Sequence, residues 1–388
     1  MRFTLIAGAL VAGACLPSTA SAAGIEIRFC PAGEAHAYPA SDERKVSTLV
    51  LQNFAVVNTG GVQAKVTSVQ IDLLRGDEAV DTRRLTGVDL DRAGKSGAGA
   101  QAAGLFDLAA YQFCRHDMIP AEVKLAGPVL ADHEALWVGS QAFTWRGDRD
   151  GLRVSATVDT GGRTQVVTAA LPVASKPAPI AFRFPLRGVW YVGAGPTLHS
   201  HHRWGVQEEF AFDLIRVDGK GLTHTGDGAN FSDYYAYGQV VSASGAGRVV
   251  ATNNGAAEDA EAMRRPDETS EAYMGRLMND QAQRLSEGVN GVVGNYVVID
   301  HGAGVFSVSA HLQRGSVLVQ AGDVVAAGQP IGKLGSSGNS TEPHLHWQVC
   351  NGPDPLYCAG MPVTFTDAVL PQADLPRALQ TGDFVSAP

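Results

Sequence analysis

The chain has no basic cluster, and its 30 Lys and Arg against 39 Asp and Glu leave a formal charge of -9. That balance argues against nucleic acid as a partner and gives no attraction to anionic lipid. Beyond the first residues no segment approaches the roughly 20 consecutive apolar residues that a membrane helix needs, so no integral membrane segment is expected. Cysteine is scarce, five in 388 residues, and no pair of them has the spacing of a zinc-ligand motif. No internal repeat or low-complexity tract is evident.

What is present begins with an address. Arg2 precedes an apolar run from Leu5 to Ala14, and small residues lead to Ala20-Ser21-Ala22, the pattern of a secretory signal peptide over 1–22. An exported, periplasmic or secreted protein is therefore expected. With Cys15 inside that segment, Cys30, Cys114, Cys350 and Cys358 remain, an even number suited to two disulfides in an oxidising compartment. Three connectivities are open, and closeness in sequence favours Cys350 with Cys358, leaving Cys30 with Cys114. The length predicts two or three domains.

From 23 to 175 the chain alternates short β-rich runs with Gly and Asp turns. The runs are Ser47 to Val57, Ala64 to Leu74, Ala135 to Trp145, Leu152 to Val158 and Arg163 to Leu171. This is the cadence of an antiparallel Ig-like sandwich, with the last two runs forming a hairpin around Asp159-Thr160-Gly161-Gly162. Nothing in this half assembles a nucleophile, a base and an orienting group, so an accessory or binding domain is expected, its partner unknown. Ala174 to Pro179 has linker composition. A second domain, 180–372, again reads as strands: Phe210 to Ile215, Gln239 to Ala251, Asn295 to Asp300, Val305 to Leu312 and His344 to Val349. One helical insertion, 256–290, carries Met274, Leu277, Met278 and Leu285 along one face; it reads equally as a solvated excursion or as an element beside a cleft.

The chemistry concentrates in Gly335-Ser336-Ser337-Gly338-Asn339-Ser340-Thr341-Glu342-Pro343-His344-Leu345-His346-Trp347-Gln348-Val349. A polar loop runs through Pro343 into a strand, where side chains alternate between faces. His344, His346 and Gln348 then share one face, while Leu345, Trp347 and Val349 share a core face. Paired imidazoles on a strand suit a bound cation or proton transfer. Asp213 sits similarly, with Phe210, Phe212 and Leu214 on the opposite, apolar face of its run. Upstream lies the cluster His199-Ser200-His201-His202-Arg203-Trp204. His301 fits a hairpin role, and His36, His116, His133, His199 and His224 carry no positional argument.

From Tyr237 to Val349, leaving out the insertion, the order of motifs resembles the lysostaphin/LytM family of zinc metalloendopeptidases. The carriers are Tyr237 to Ala243 with Gly247 to Val250, Gly294 to Gly302, Ser309-Ala310-His311-Leu312, Val324 to Gly332, and Ser340 to Val349. The resemblance implies a mostly β fold: the Ig-like sandwich followed by a β-rich peptidase domain with its helical insertion. It implies one Zn2+ held by His346, Asp213 and a third donor, with His311 and His344 as non-ligating catalytic histidines. The family commonly places a His four residues before the Asp, where this chain has Glu209. His202 is the choice for that ligand, His201 comes next, and Glu209 stays open. Amide hydrolysis in peptidoglycan stems or cross-bridges is the implied reaction. The alternatives are a non-catalytic relative that binds cell wall or activates other wall hydrolases, and a secreted protease acting on proteins.

Overall fold

The structure is a computed structural model that describes residues 24–388 apart from 264, 266, 267 and 374–376; the expected signal peptide lies outside them. The side chains of Arg115, His116 and Met278 are likewise not described. Both disulfides join the partners that closeness favours, Cys30 with Cys114 and Cys350 with Cys358. Among the described residues no helix is long and apolar enough to cross a membrane.

In the N-terminal part, Gly151–Thr160 and Arg163–Ala174 form the expected hairpin. They pair on into Ala64–Arg75 and Glu78–Thr86 within a six-stranded sheet. Val154, Ala156 and Val158 point into a core shared with Ile27, Leu49, Val56 and Leu136 from facing strands. Two of the expected runs are broken in an informative way. Ser47 to Val57 is two strands, Val46–Leu51 and Asn53–Asn58, in different sheets, with Gln52 at the corner. Ala135 to Trp145 splits likewise into Glu134–Val138 and Gln141–Arg146, and the two broken strands pair with each other on both sides of the bend. The corners fall at Gln52 and at Gly139-Ser140, where each run is briefly polar or small, but so short an interruption does not by itself tell a bend from a continuing strand.

The strand cadence also hides a helix, Val88–Ala102. Its glycines lower helix propensity, each by about 1 kcal/mol relative to Ala, so the sequence reads as turn. Tertiary packing explains Gly94, where a Cβ would lie 2.5 Å from the Gly127 Cα. The helix can approach the neighbouring backbone only without a side chain there.

The C-terminal part is built on an eight-stranded sheet. Its order is Val324–Val325, Gly247–Asn253, Tyr296–Asp300, Phe306–Ala310, Leu345–Cys350, Phe212–Ile215, Gly188–Ala194 and Phe384–Ala387. The last strand lies past residue 372. Gln239 to Ala251 is again two strands, and Val240–Ser242 pairs with Pro330–Lys333 in a separate ribbon. One face of the main sheet packs Phe212, Leu214, Leu345, Trp347 and Val349 with Phe182 and Trp190 in a single core. The insertion holds one long helix, Ser270–Ser286, started by the Thr269 hydroxyl, which accepts a hydrogen bond from the Ala272 N–H at 3.2 Å. Met274 and Leu277 of that helix face the cleft described next.

Candidate metal centre

Register places the site. On the central strand His346 stands opposite Ala310 on one side and Asp213 on the other, while Phe212 pairs with Trp347 and Leu214 with Leu345. Because Phe212, Leu214, Leu345 and Trp347 are committed to the core, alternation leaves Asp213 and His346 on the opposite face. Hydrophobic burial therefore orients the polar pair. His344 lies one residue before the strand rather than within it, and His311 just after Phe306–Ala310.

His311 adopts a left-handed backbone with φ 58°, which is uncommon for a residue with a side chain. Its ring meets the carbonyl of Ser337, at 2.8 Å from Nδ1. That carbonyl belongs to a loop threaded tightly against the sheet: Gly338 has φ +73°, and a Cβ there would meet the Gly294 backbone N at 2.5 Å. The glycines of the Gly335 to Gly338 loop thus let the backbone come close enough to fix a histidine.

The imidazoles converge on Asp213. His346 Nδ1 is 3.0 Å from Oδ1, His344 Nε2 3.5 Å from Oδ1, and His202 Nε2 3.2 Å from Oδ2. Each of these rings has its other nitrogen at an oxygen: His346 Nε2 at Gln348 Oε1 (2.8 Å), His344 Nδ1 at the Glu342 carbonyl (2.8 Å), and His202 Nδ1 at the Ala211 carbonyl (3.3 Å). When the outward nitrogen donates its proton to such an oxygen, the inward nitrogen is left with a free lone pair, the state a metal ligand needs. Gln348 was legible only as a residue sharing the histidine face; its role as the His346 acceptor needs the observed rotamer.

The electrostatics follow from burial and this crowding. Burial works against ionising Asp213, yet the surrounding His202 and His344 hold its carboxyl well below the usual carboxylate range. Burial likewise opposes a charged His202, but the Asp213 carboxylate wins and raises it to about 9. Asp213 raises His344 against burial in the same way. Burial, reinforced by His344 and His346, keeps His311 well below its ordinary value.

His201, His202 and Asp213 also bring donor atoms within 4.8 Å of one another. His201 is exposed, however, whereas His202 is buried and anchored. Glu209 is occupied elsewhere: it is buried and accepts a hydrogen bond from Arg203 Nη1 at 2.7 Å. Burial pushes its carboxyl up to about 7 against the opposing pull of that guanidinium. Glu209→Ala would leave a fully buried guanidinium without a counter-ion, at an expected cost of about 3–5 kcal/mol, to be read from denaturant unfolding of chelator-treated protein. His301 has the hairpin role expected of it, with ring contacts to the Ala246 carbonyl and the Ser307 hydroxyl.

A cleft of about 520 Å³ opens over these groups, lined by His202, Asp213, His311, His344 and His346. Its apolar lining comes from Met274 and Leu277 of the inserted helix, Val293 at the end of the short helix Val289–Val293, and Leu356 in the loop after Leu345–Cys350. A carboxylate with several imidazoles at the floor of a peptide-sized cleft is the donor set of a metal-dependent hydrolase. Residues 228–357, about a third of the chain, match peptidase family M23. The match includes His311, His344 and His346 and begins after Asp213.

Among curated proteins, peptidoglycan DD-endopeptidase ShyA of Vibrio cholerae serotype O1 is 36% identical over 93 residues, 24% of this chain and 20% of that protein. DD-carboxypeptidase/endopeptidase Mpg of Neisseria meningitidis serogroup B is 38% identical over 92 residues, 24% of this chain and 19% of that protein. The chain thus spans about a fifth of the length of these curated relatives. Among solved structures, the catalytic domain of lysostaphin from Staphylococcus simulans shares 20% identity over 45% of this chain and 88% of that one, with a TM-score of 0.24.

Proposed function

We propose that the protein is an exported, zinc-dependent endopeptidase that hydrolyses amide bonds in the peptide part of peptidoglycan, with His202, Asp213 and His346 as metal ligands. The observation that carries this reading is the convergence of anchored imidazole nitrogens on one carboxylate at the floor of a cleft. The donor set fits zinc, which takes nitrogen and oxygen ligands and in catalytic sites keeps a position open beside three protein ligands. When bound, the ion supplies Lewis-acid polarisation of a carbonyl and activation of water.

The chain's own residues do the rest. His311 and His344 stand side by side, their ring centroids 4.8 Å apart, facing the same floor. With Nδ1 of each held by a backbone carbonyl, Nε2 is the atom that accepts or returns a proton during hydrolysis. Met274, Leu277 and Leu356 shield that step from bulk water and border a groove for an extended peptide. The names of the two curated relatives support peptidoglycan as the substrate, and the two disulfides suit an oxidising compartment.

Purified protein incubated with peptidoglycan, and separately with casein, tests this reading. We expect new amine termini and altered muropeptides from peptidoglycan alone, with the rate reduced at least about 100-fold by chelator and restored by zinc. Chelator-insensitive hydrolysis, or preferential cleavage of casein, would overturn the respective part of the proposal.

A further inference from the structure

The segment that carries His202 has little regular structure of its own. It is a short 3-10 turn, His202–Trp204, followed by further turns until the strand Phe212–Ile215 begins. A ligand on such a segment needs support beyond its own turn: the ring rests on the Ala211 carbonyl and Asp213, and the residue beside it is held in part by the other half of the molecule.

The contacts converge on Arg203, the residue next to His202. Its side chain is fully buried and donates from Nη2 to the Thr48 carbonyl at 3.2 Å and from Nη1 to Glu209 at 2.7 Å. Its backbone carbonyl accepts a hydrogen bond from Gln52 Nε2 at 2.9 Å. The guanidinium lies 4.6 Å over the Phe210 ring, which is flanked in turn by His36 and Tyr38. Farther along, Val206 is buried in an apolar cluster with Ala55, Phe106 and Ile119 of the N-terminal part. Gln52 occupies the corner between Val46–Leu51 and Asn53–Asn58, so the bend that splits the run also delivers the supporting amide.

We propose that the N-terminal β domain is a positioning element of the metal centre, fixing the His202 imidazole through Gln52, the Thr48 carbonyl and the buried Arg203–Glu209 pair. The proposal rests on the reading of His202 as a ligand. Groups that hydrogen-bond a ligand's ring hold it in its binding geometry, and losing one typically weakens metal binding by about 10–100-fold. Gln52, the Thr48 carbonyl and Arg203 act on the same ring one residue removed, through the backbone of the turn that carries it. A detached accessory domain joined only by a linker would have no such effect.

Two variants test it in the full-length protein: Gln52→Leu, and the double replacement Arg203→Met with Glu209→Leu. Exchanging a buried ion pair for apolar residues of similar volume is often neutral for stability, so the double variant removes the polar clamp without stranding a charge. Zinc affinity is measured by competition with a chromophoric chelator, and the folded fraction of the metal-stripped protein by circular dichroism. We expect zinc affinity to fall about 10–100-fold in both variants after correction for the folded fraction. Wild-type affinity in both, or a weakening that vanishes under that correction, would overturn the proposal and leave these contacts merely structural. His202→Ala is the separate control: if it binds zinc as wild type does, the ligand assignment fails rather than the positioning role.

Discussion

His346→Ala should bind no stoichiometric zinc and should hydrolyse peptidoglycan at a rate at least about 1,000-fold below wild type. His346 is the central group of the floor, held between the strands that carry Ala310 and Asp213. Removing it deletes one donor, takes from the Gln348 side-chain oxygen its ring partner, and leaves Asp213 Oδ1 with His344 Nε2 at 3.5 Å. The fold should survive, because the apolar side chains on either side of it, Leu345 and Trp347, still bury their core face. Inductively coupled plasma measurement of bound zinc, set beside unchanged circular dichroism, checks this. Full zinc occupancy in the variant would remove His346 from the ligand set.

The second large effect separates binding from chemistry. His311→Ala and His344→Ala should each retain zinc yet lose about 100- to 10,000-fold in kcat, the range typical of a positioned proton-transfer group. KM should change little, since neither ring is needed to form the apolar wall of the cleft. His311 is the cleaner test, because its ring is 5.8 Å from that of His346 and its anchor is a backbone carbonyl of a different loop. Loss of metal from His311→Ala would make that residue a ligand and overturn the division of roles. Paired measurements of zinc content and steady-state kinetics on the same preparations distinguish the two outcomes.

Much of this site was legible before any fold was known, and the reason is periodicity. Around Asp213 and His346, flanking apolar residues fix which way a strand faces, and that choice automatically sends the intervening polar side chains to the other side. The order of motifs resembling the lysostaphin/LytM family added His311, which no periodic pattern could single out, since it lies beyond its strand in a left-handed backbone. Local sequence was silent where the decisive contacts are distant. The inserted helix was visible as a helix, but whether it faced solvent or cleft depended on packing, and Met274 and Leu277 are found on the cleft wall. The helix Val88–Ala102 was missed because Gly94 and Gly97 serve close packing against Gly127 and Trp137 rather than turns.

What the sequence alone determined, then, is a set of strand faces, two cysteine pairings favoured by proximity, and a pair of polar groups forced away from an apolar core. The tertiary structure alone decided where the loop residues point. His202 faces Asp213 while its neighbour Arg203 turns to Glu209 and the N-terminal corner. A strand encodes direction in its own alternation, but an irregular loop has no period, and its side chains are placed only by the partners that the rest of the chain brings to it.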